Sequence, residues 1–420
     1  MISQTDEALA FGSIGTLRKS LRERKLSPTE LVELVLARIE RDEPNLVAWA
    51  EIDRDAALGA ARNADVNAPL GGIPFGVKDV IDVRDMPTRF GTKISLPPPQ
   101  LDAWCVAAVR CAGAIPLGKL HTTPFAYADP APTKNAIDPA RSPGGSSSGS
   151  GAAVGAHQIP FAFGTQTGGS TLRPAAYNGV VGFKPSFGTI PTAGVAMLAP
   201  TFDTVGIIAR TAGDAAEVFD VFVPGALDAQ PERAPHLVDA LDYRTDLSGP
   251  QVCAAIDRAL SVLAAAGATR TKHALPSLVE RVEENWHAIA AYEAAAVLPP
   301  LIERLKGYPR VEKLIAEGRQ LDAVCYRKAR ELRSRIVDEL GKLLSECDAV
   351  VLPAAGEVPK FGAMGNAHFL RPWSLGGFPS ISIPVGFDAA GMPIGMQIVA
   401  RRGGDCGLLA LARWAEAKLA

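Results

Sequence analysis

The densest concentration of groups able to do chemistry lies between Arg141 and Ser186. Its first eleven residues, Arg141 to Gly151, hold five serines and four glycines, and a second Gly-Gly-Ser follows at Gly168-Gly169-Ser170. Glycine lets the backbone take positive φ and approach a ligand closely, as a phosphate cradle or an oxyanion hole requires. A serine hydroxyl becomes a nucleophile when a neighbouring base takes its proton. Gly/Ser-rich segments also serve as flexible linkers. Here an apolar run, Ile159 to Phe163, separates the two clusters. Two small-residue turns joined through a short strand read as the floor of an active site.

The next question is which base serves the serines. Gly145-Ser146-Ser147-Ser148-Gly149 formally matches the G-x-S-x-G elbow of α/β-hydrolases, which follows a strand and needs a downstream histidine. Residues 140–144 are no strand, and the six histidines (121, 157, 236, 273, 287, 368) have no distinctive setting, so a Ser-His-Asp triad is unsupported. A neutral lysine can replace histidine if burial lowers its pKa. Lys78, closing the apolar run Ile73 to Val77, has the most suitable setting, although taken alone it reads first as a solvated strand-end lysine. Lys119 and Lys184, each beside turn residues, are the rivals. Gly113 to Lys119 matches most of a P-loop, but Leu120 stands where Ser or Thr would meet magnesium. A strand with its trailing turn is the better reading there.

These groups must be positioned by the surrounding elements. Ser27-Pro28-Thr29-Glu30 opens a helix with a capping box and proline at its first position, and Leu31, Val32, Val35, Leu36 and Ile39 form its buried face. Further helices are expected at Asp55 to Ala64 and Ala103 to Cys111, with a strand at Ala114 to Leu117. Residues 211–344 are mostly helical in pattern and read as a cover that shapes a pocket. Strands follow at Ala349 to Pro353, Ile381 to Val385 and Met396 to Val399, with a short helix from Phe369 to Gly376-Gly377 and a last helix from Leu408 to Leu419. Alternating strands and helices imply one α/β domain over residues 1–420, with a mixed, largely parallel sheet.

Bulk properties narrow the function classes. The 47% hydrophobic and 21% charged composition supplies a large core, and a net charge of −2 gives no reason to expect nucleic acid or an anionic membrane as partner. Six cysteines (105, 111, 253, 325, 347, 406) form no C-x-x-C pair, as expected of reduced thiols rather than a disulfide scaffold or zinc site. The start, MISQTDEALA, lacks a signal peptide's basic and apolar regions, and no 18-residue apolar run follows. A soluble, cytoplasmic protein is expected, with a homodimer allowed.

Read together, the motifs resemble the amidase signature family. Its members carry G-I-P-x-x-V-K-D, G-G-S-S-x-G-S, and a G-G-S ahead of P-A-A and G-V-V-G-x-K-P. The counterparts here are Gly72 to Asp79, Gly144 to Ser150, Gly168 to Ser170, Pro174 to Ala176 and Gly179 to Pro185. The resemblance spans nearly the whole chain and is least distinctive in the helical middle. It implies a single-domain amidase-signature fold with helices on both faces of the sheet, acting on a small-molecule amide with neither metal nor cofactor. It also implies a Ser-cisSer-Lys triad, carried over as Ser170 (nucleophile), Ser146 (relay on a cis peptide bond) and Lys78 (base). Backbone N–H groups of Thr167, Gly168, Gly169 and Ser170 would form the oxyanion hole, and Ser147, Ser148 and Ser150 would be supporting hydrogen bonders or helix caps.

Two departures bear on substrate. Many members read G-x-D-T-G-G-S-I-R; here Gln166 replaces the aspartate, and arginine stands at position 173, three after Ser170. If Ser170 opens a helix, the third position returns to its face. Guanidinium binds carboxylate bidentately, and the stretch Gly164 to Pro174 is similar to that of malonamidase, a member acting on an amide that bears a carboxylate. A small acidic amide such as malonamate, anchored by Arg173, is therefore expected; the other reading of Arg173 is a pair with an internal acid. The alternatives are a glutaminase-like subunit of a tRNA-dependent amidotransferase, whose members are usually longer, and an amidase of uncharged aliphatic or aryl amides.

Overall fold

A computed structural model describes residues 11–94, 96–231, 233–298 and 307–420. The N-terminal stretch read for a leader, residues 1–10, lies outside the described residues. Ser27 caps the Pro28–Leu46 helix as its sequence requires: Glu30 N donates to Ser27 Oγ at 3.2 Å, and Ser27 N donates to Glu30 Oε2 at 2.8 Å.

The apolar runs become one eleven-stranded sheet in the order β1-β3-β2-β4-β6-β5-β10-β11-β9-β7-β8. The strands are β1 (Trp49–Ile52), β2 (Pro74–Lys78), β3 (Ile115–Leu120), β4 (Phe161–Gln166), β5 (Val181–Lys184), β6 (Thr204–Ala209), β7 (His236–Asp239), β8 (Thr269–Lys272), β9 (Ala349–Pro353), β10 (Ser380–Phe387) and β11 (Pro393–Val399). The sheet is mixed, as expected, but not largely parallel. β2 runs parallel to β3 and β4, and β7 to β8 and β9; every other neighbouring pair is antiparallel. Continuous apolar runs are the usual mark of parallel strands because those are covered on both faces. Here β4, β6 and β5 are fully buried and antiparallel, so the runs report burial rather than direction. Residues 211–344 are not helical throughout: β7 and β8 extend the sheet at one edge, and β8, Thr-Arg-Thr-Lys, is too polar and exposed to show an apolar run.

Side-chain alternation places helices on both faces. Phe163 and Phe183 pair with Ile207 across β4, β6 and β5, and pack against Phe222 and Phe219 beyond one face. Successive residues point to opposite faces, so Gly164, Gly206 and Gly182 line the other. There the serine-bearing turns and the Leu172–Tyr177 helix lie almost on the sheet backbone. A Cβ on Gly206 would stand 2.4 Å from Thr171 Oγ1, one on Gly164 2.8 Å from Ser147 Oγ, and one on Gly182 2.7 Å from Ala175 Cβ. Among the described residues no helix is long and apolar enough to cross a membrane.

Gly206 therefore sets how closely the residue after Ser170 approaches the sheet. Gly206→Ala should lower stability by about 1–3 kcal/mol through overpacking, read as a fall in Tm or denaturant midpoint. An unchanged midpoint would show that the Thr171 turn can back away.

Candidate active site

Lys78 ends β2 in the sheet interior and is completely buried. Its Nζ lies 2.7 Å from both Ser146 Oγ and Thr165 Oγ1. Burial, which disfavours the charged form, pushes its pKa down to about 7; nearby Asp203 opposes the shift and Arg173 adds to it. The rival lysines are equally buried but differently partnered. Lys119 Nζ sits 3.4 Å from Asp79 Oδ1 and 2.8 Å from Thr88 Oγ1. Burial also pushes Lys184 down to about 7, but its Nζ donates to the Pro185 carbonyl at 2.9 Å. Of the three, Lys78 is the one the fold brings to a serine.

Ser146 lies in the turn before the Ser148–Gly155 helix, and the Gly145–Ser146 peptide bond is cis. Its carbonyl accepts from Thr122 Oγ1 at 3.0 Å and Thr123 N at 3.1 Å. Ser147 N donates to the Ser170 carbonyl at 3.2 Å, tying the two Gly/Ser clusters together. The remaining serines brace this turn against backbone carbonyls: Ser147 Oγ reaches Thr165 O, Ser148 Oγ reaches His121 O and Ser150 Oγ reaches Phe163 O.

Ser170 closes the turn that leads into the Leu172–Tyr177 helix. Gln166 organises that turn: its Oε1 accepts from Thr171 N at 2.9 Å and Leu172 N at 3.1 Å, and its Nε2 donates to Ser374 Oγ at 3.0 Å. The Thr167 carbonyl accepts from Trp286 Nε1 at 3.0 Å, the Gly168 carbonyl from Ser374 Oγ at 2.8 Å, and the Gly169 carbonyl from Arg173 N at 3.0 Å. In a planar trans peptide the following N–H points opposite to the carbonyl. The amides of Gly168, Gly169 and Ser170 are thereby turned away from these anchors. Among the described residues, none of the three has a protein acceptor. Thr167 contributes through its side chain, which bonds Asp203; burial raises that carboxyl to about 6.

Arg173 is brought to the same place, but among the described residues no acid pairs with it. Its Nε and Nη2 donate to the Gly145 carbonyl at 3.1 and 2.5 Å, and its Nη1 donates to the Gly365 carbonyl at 2.9 Å. The guanidinium is buried among neutral acceptors, and two of its five N–H groups are left over. Gln166, which stands where many members carry aspartate, caps the turn. A cavity of about 270 Å³ opens on these groups, with Thr167, Gly168, Gly169, Ser170 and Arg173 in its wall. Arg310 and Arg371 also line it, beside Trp286, Tyr127 and Met364, and among the described residues no carboxylate does. Arg371 stacks over the Trp286 ring at 4.5 Å and is ion-paired to Glu283.

Sequence reasoning missed Thr165, Asp203, Trp286, Arg310, Arg371 and Ser374. Asp203, an acid between Phe202 and the apolar run of β6, was a visible signal of a buried carboxylate. The others reach the site only through long-range packing. Among the described residues, no group of three or more His, Cys, Asp or Glu side chains could hold a metal ion.

Comparison with known proteins agrees with this architecture. The family model described as Amidase matches residues 30–409. A glutamyl-tRNA(Gln) amidotransferase subunit from Solidesulfovibrio magneticus is 32% identical over 472 aligned positions, covering 96% of each chain. The protein of the same description from Akkermansia muciniphila is 32% identical, covering 93% of this chain and 95% of its own. Among solved structures, one described as an amidase superposes with a TM-score of 0.91 at 32% identity, covering 97% of this chain and all of the other. The native peptide amidase of Stenotrophomonas maltophilia gives 0.82 at 25% identity, covering 97% of each chain.

Lys78 and Lys184, both pushed down to about 7, make a physical prediction independent of activity. Nitrogen-edited NMR of the lysines should show signals titrating near pH 7, and Lys78→Met should remove one of them. A Lys78 signal still titrating near the ordinary lysine value would contradict the desolvation argument.

Proposed function

The chain belongs to the amidase signature family, and we propose that it hydrolyses a small primary amide bearing a carboxylate, through an acyl-enzyme on Ser170. Hydrolysis of amide C–N bonds is the family's chemistry. The observation that carries the substrate class is the wall around Ser170, where, among the described residues, three guanidiniums and no carboxylate line the cavity.

In this reading Ser170 Oγ attacks the amide carbonyl, and its proton passes through Ser146 Oγ to neutral Lys78. The oxyanion that develops is met by the amides of Gly168, Gly169 and Ser170, each donor being worth roughly 3–4 kcal/mol. Collapse of the tetrahedral intermediate breaks the C–N bond. Lys78 returns the proton through Ser146, so ammonia leaves and an ester remains on Ser170. Water, deprotonated by the same relay, then cleaves the ester, releasing the acid and restoring the hydroxyl. Arg173 would hold the distal carboxylate with its two uncommitted N–H groups, helped by Arg310 and Arg371.

Two substrates fit this class, malonamate and glutamine. The names of the curated relatives support the glutaminase-like alternative over malonamate. The length argument against it stands, since the alignment runs over 472 positions against a chain of 420 residues, while Gln166 acts on the turn rather than on Arg173. That reading would place the chain in an amidotransferase complex. The pocket itself favours an acid without an ammonium group, because no carboxylate among the described lining residues would receive one.

Mass spectrometry during turnover should show an acyl adduct on Ser170, absent in Ser170→Ala, whose activity should fall to background. Carboxylate-bearing amides should exceed propionamide in kcat/KM by at least about tenfold, the scale of one hydrogen bond to a charged group. Equal values would overturn the acidic-amide reading. Glutamine ahead of malonamate, and dependent on a co-purifying partner protein, would decide for the amidotransferase role.

A further inference from the structure

A separate cavity of about 350 Å³ shares no wall with the Ser170 pocket. Its lining is Phe187, Thr201, Arg330, Arg333 and Arg402. Arg330 and Arg333 stand three residues apart on the Ala323–Ser345 helix, the spacing that places side chains on one face. Arg402 joins them from the loop after β11.

All three guanidiniums are fixed by neutral acceptors. Arg330 Nη1 reaches Tyr326 Oη at 2.8 Å and Thr201 Oγ1 at 3.1 Å. Arg333 Nε donates to the Leu375 carbonyl at 2.8 Å, and Arg402 Nε to the Gly376 carbonyl at 2.5 Å. Arg402 also lies 5.4 Å from the centre of the Phe378 ring. The acids that bear on the cluster are held back from it. Glu293 binds Thr201 N at 2.9 Å and Tyr326 Oη at 2.6 Å, and Asp338 acts on Arg402 only through space. Among the described residues none of the three arginines has a carboxylate within 4.0 Å. Burial, with Arg402 and Arg330 as positive neighbours, pushes Arg333 down to about 10. Three like charges thus share a cavity, oriented and with donors to spare; both terminal nitrogens of Arg333 are uncommitted.

We propose that Arg330, Arg333 and Arg402 form a binding site for a phosphoryl-bearing anion, a phosphate monoester or a diphosphate. A terminal phosphoryl group offers three acceptor oxygens and up to two negative charges, enough to engage three guanidinium forks. A single carboxylate supplies one charge in one plane. Phe187, 43% exposed at the rim, offers apolar surface for the organic part of an ester. The volume suits a small organic ligand better than a lone ion.

Calorimetric titration of the full chain with pyrophosphate tests this site, after Ser170 is blocked with a fluorophosphonate so that the arginines of its own pocket are covered. One binding event is expected, with a Kd at or below about 1 mM at low salt, weakening as salt rises. Arg330→Gln and Arg333→Gln should each weaken it at least tenfold. Because Arg333 and Arg402 also hold the last carbonyls of the Arg371–Gly376 helix, Arg330→Gln is the cleaner variant, and its Tm should match the parent's. Should it unfold, Arg330→Lys keeps the charge without the fork and should still weaken binding several-fold. No binding heat, binding indifferent to both glutamine variants, or citrate bound as tightly as pyrophosphate would each overturn the assignment.

Discussion

The site depends on one constraint: a lysine amine kept out of water without a carboxylate to hold its proton. Desolvation lowers a lysine pKa, and a close anion restores it. Burial lowers Lys119 too, but there Asp79, 3.4 Å away, opposes the shift and is placed to hold the proton. Lys78 meets two hydroxyls instead, and its nearest influential anion, Asp203, is engaged by Leu198 N, Ala199 N and Thr167. A full ion pair at that position would store the proton rather than pass it on. β2 has a parallel partner on each side, which puts its end in the sheet interior and leaves Ser146 as the route outward.

Around that amine the backbone is drawn in tightly. Bare glycine positions on β4, β6 and β5 let the serine turns lie on the sheet. The Ser147–Ser170 backbone hydrogen bond then makes the two turns one unit. Arg173 extends this logic, because the group proposed to face substrate also grips the Gly145 carbonyl next to Ser146. The proposed substrate anchor would thus also hold the backbone of the proposed relay.

Much of this was legible in the sequence, for a local reason. Lys78, Ser146 and Ser170 each sit in a short motif whose glycines and prolines announce an unusual backbone, and the capping box at Ser27 predicts its helix by itself. What was not legible depends on residues far apart in the chain. Trp286 and Ser374 orient carbonyls more than a hundred positions away, and Arg371 reaches the pocket only through tertiary packing. Strand direction was misread because it was inferred from the alternation of strands and helices, whereas β6 inserts antiparallel between β4 and β5, and β8 was missed because an exposed edge strand needs no apolar residues. The departure at Gln166 was noticed, but its role as a turn cap depends on where the Thr171 and Leu172 amides point.

The rate of fluorophosphonate attack on Ser170 as a function of pH tests the central claim most directly. If desolvated Lys78 is the base, the rate rises with pH to a plateau with an apparent pKa near 7, since the amine must be neutral to accept the proton. Lys78→Met would abolish that rise at every pH. A parent rate that climbs only near the ordinary lysine pKa, or a Lys78→Met protein with the parent's profile, would contradict the account.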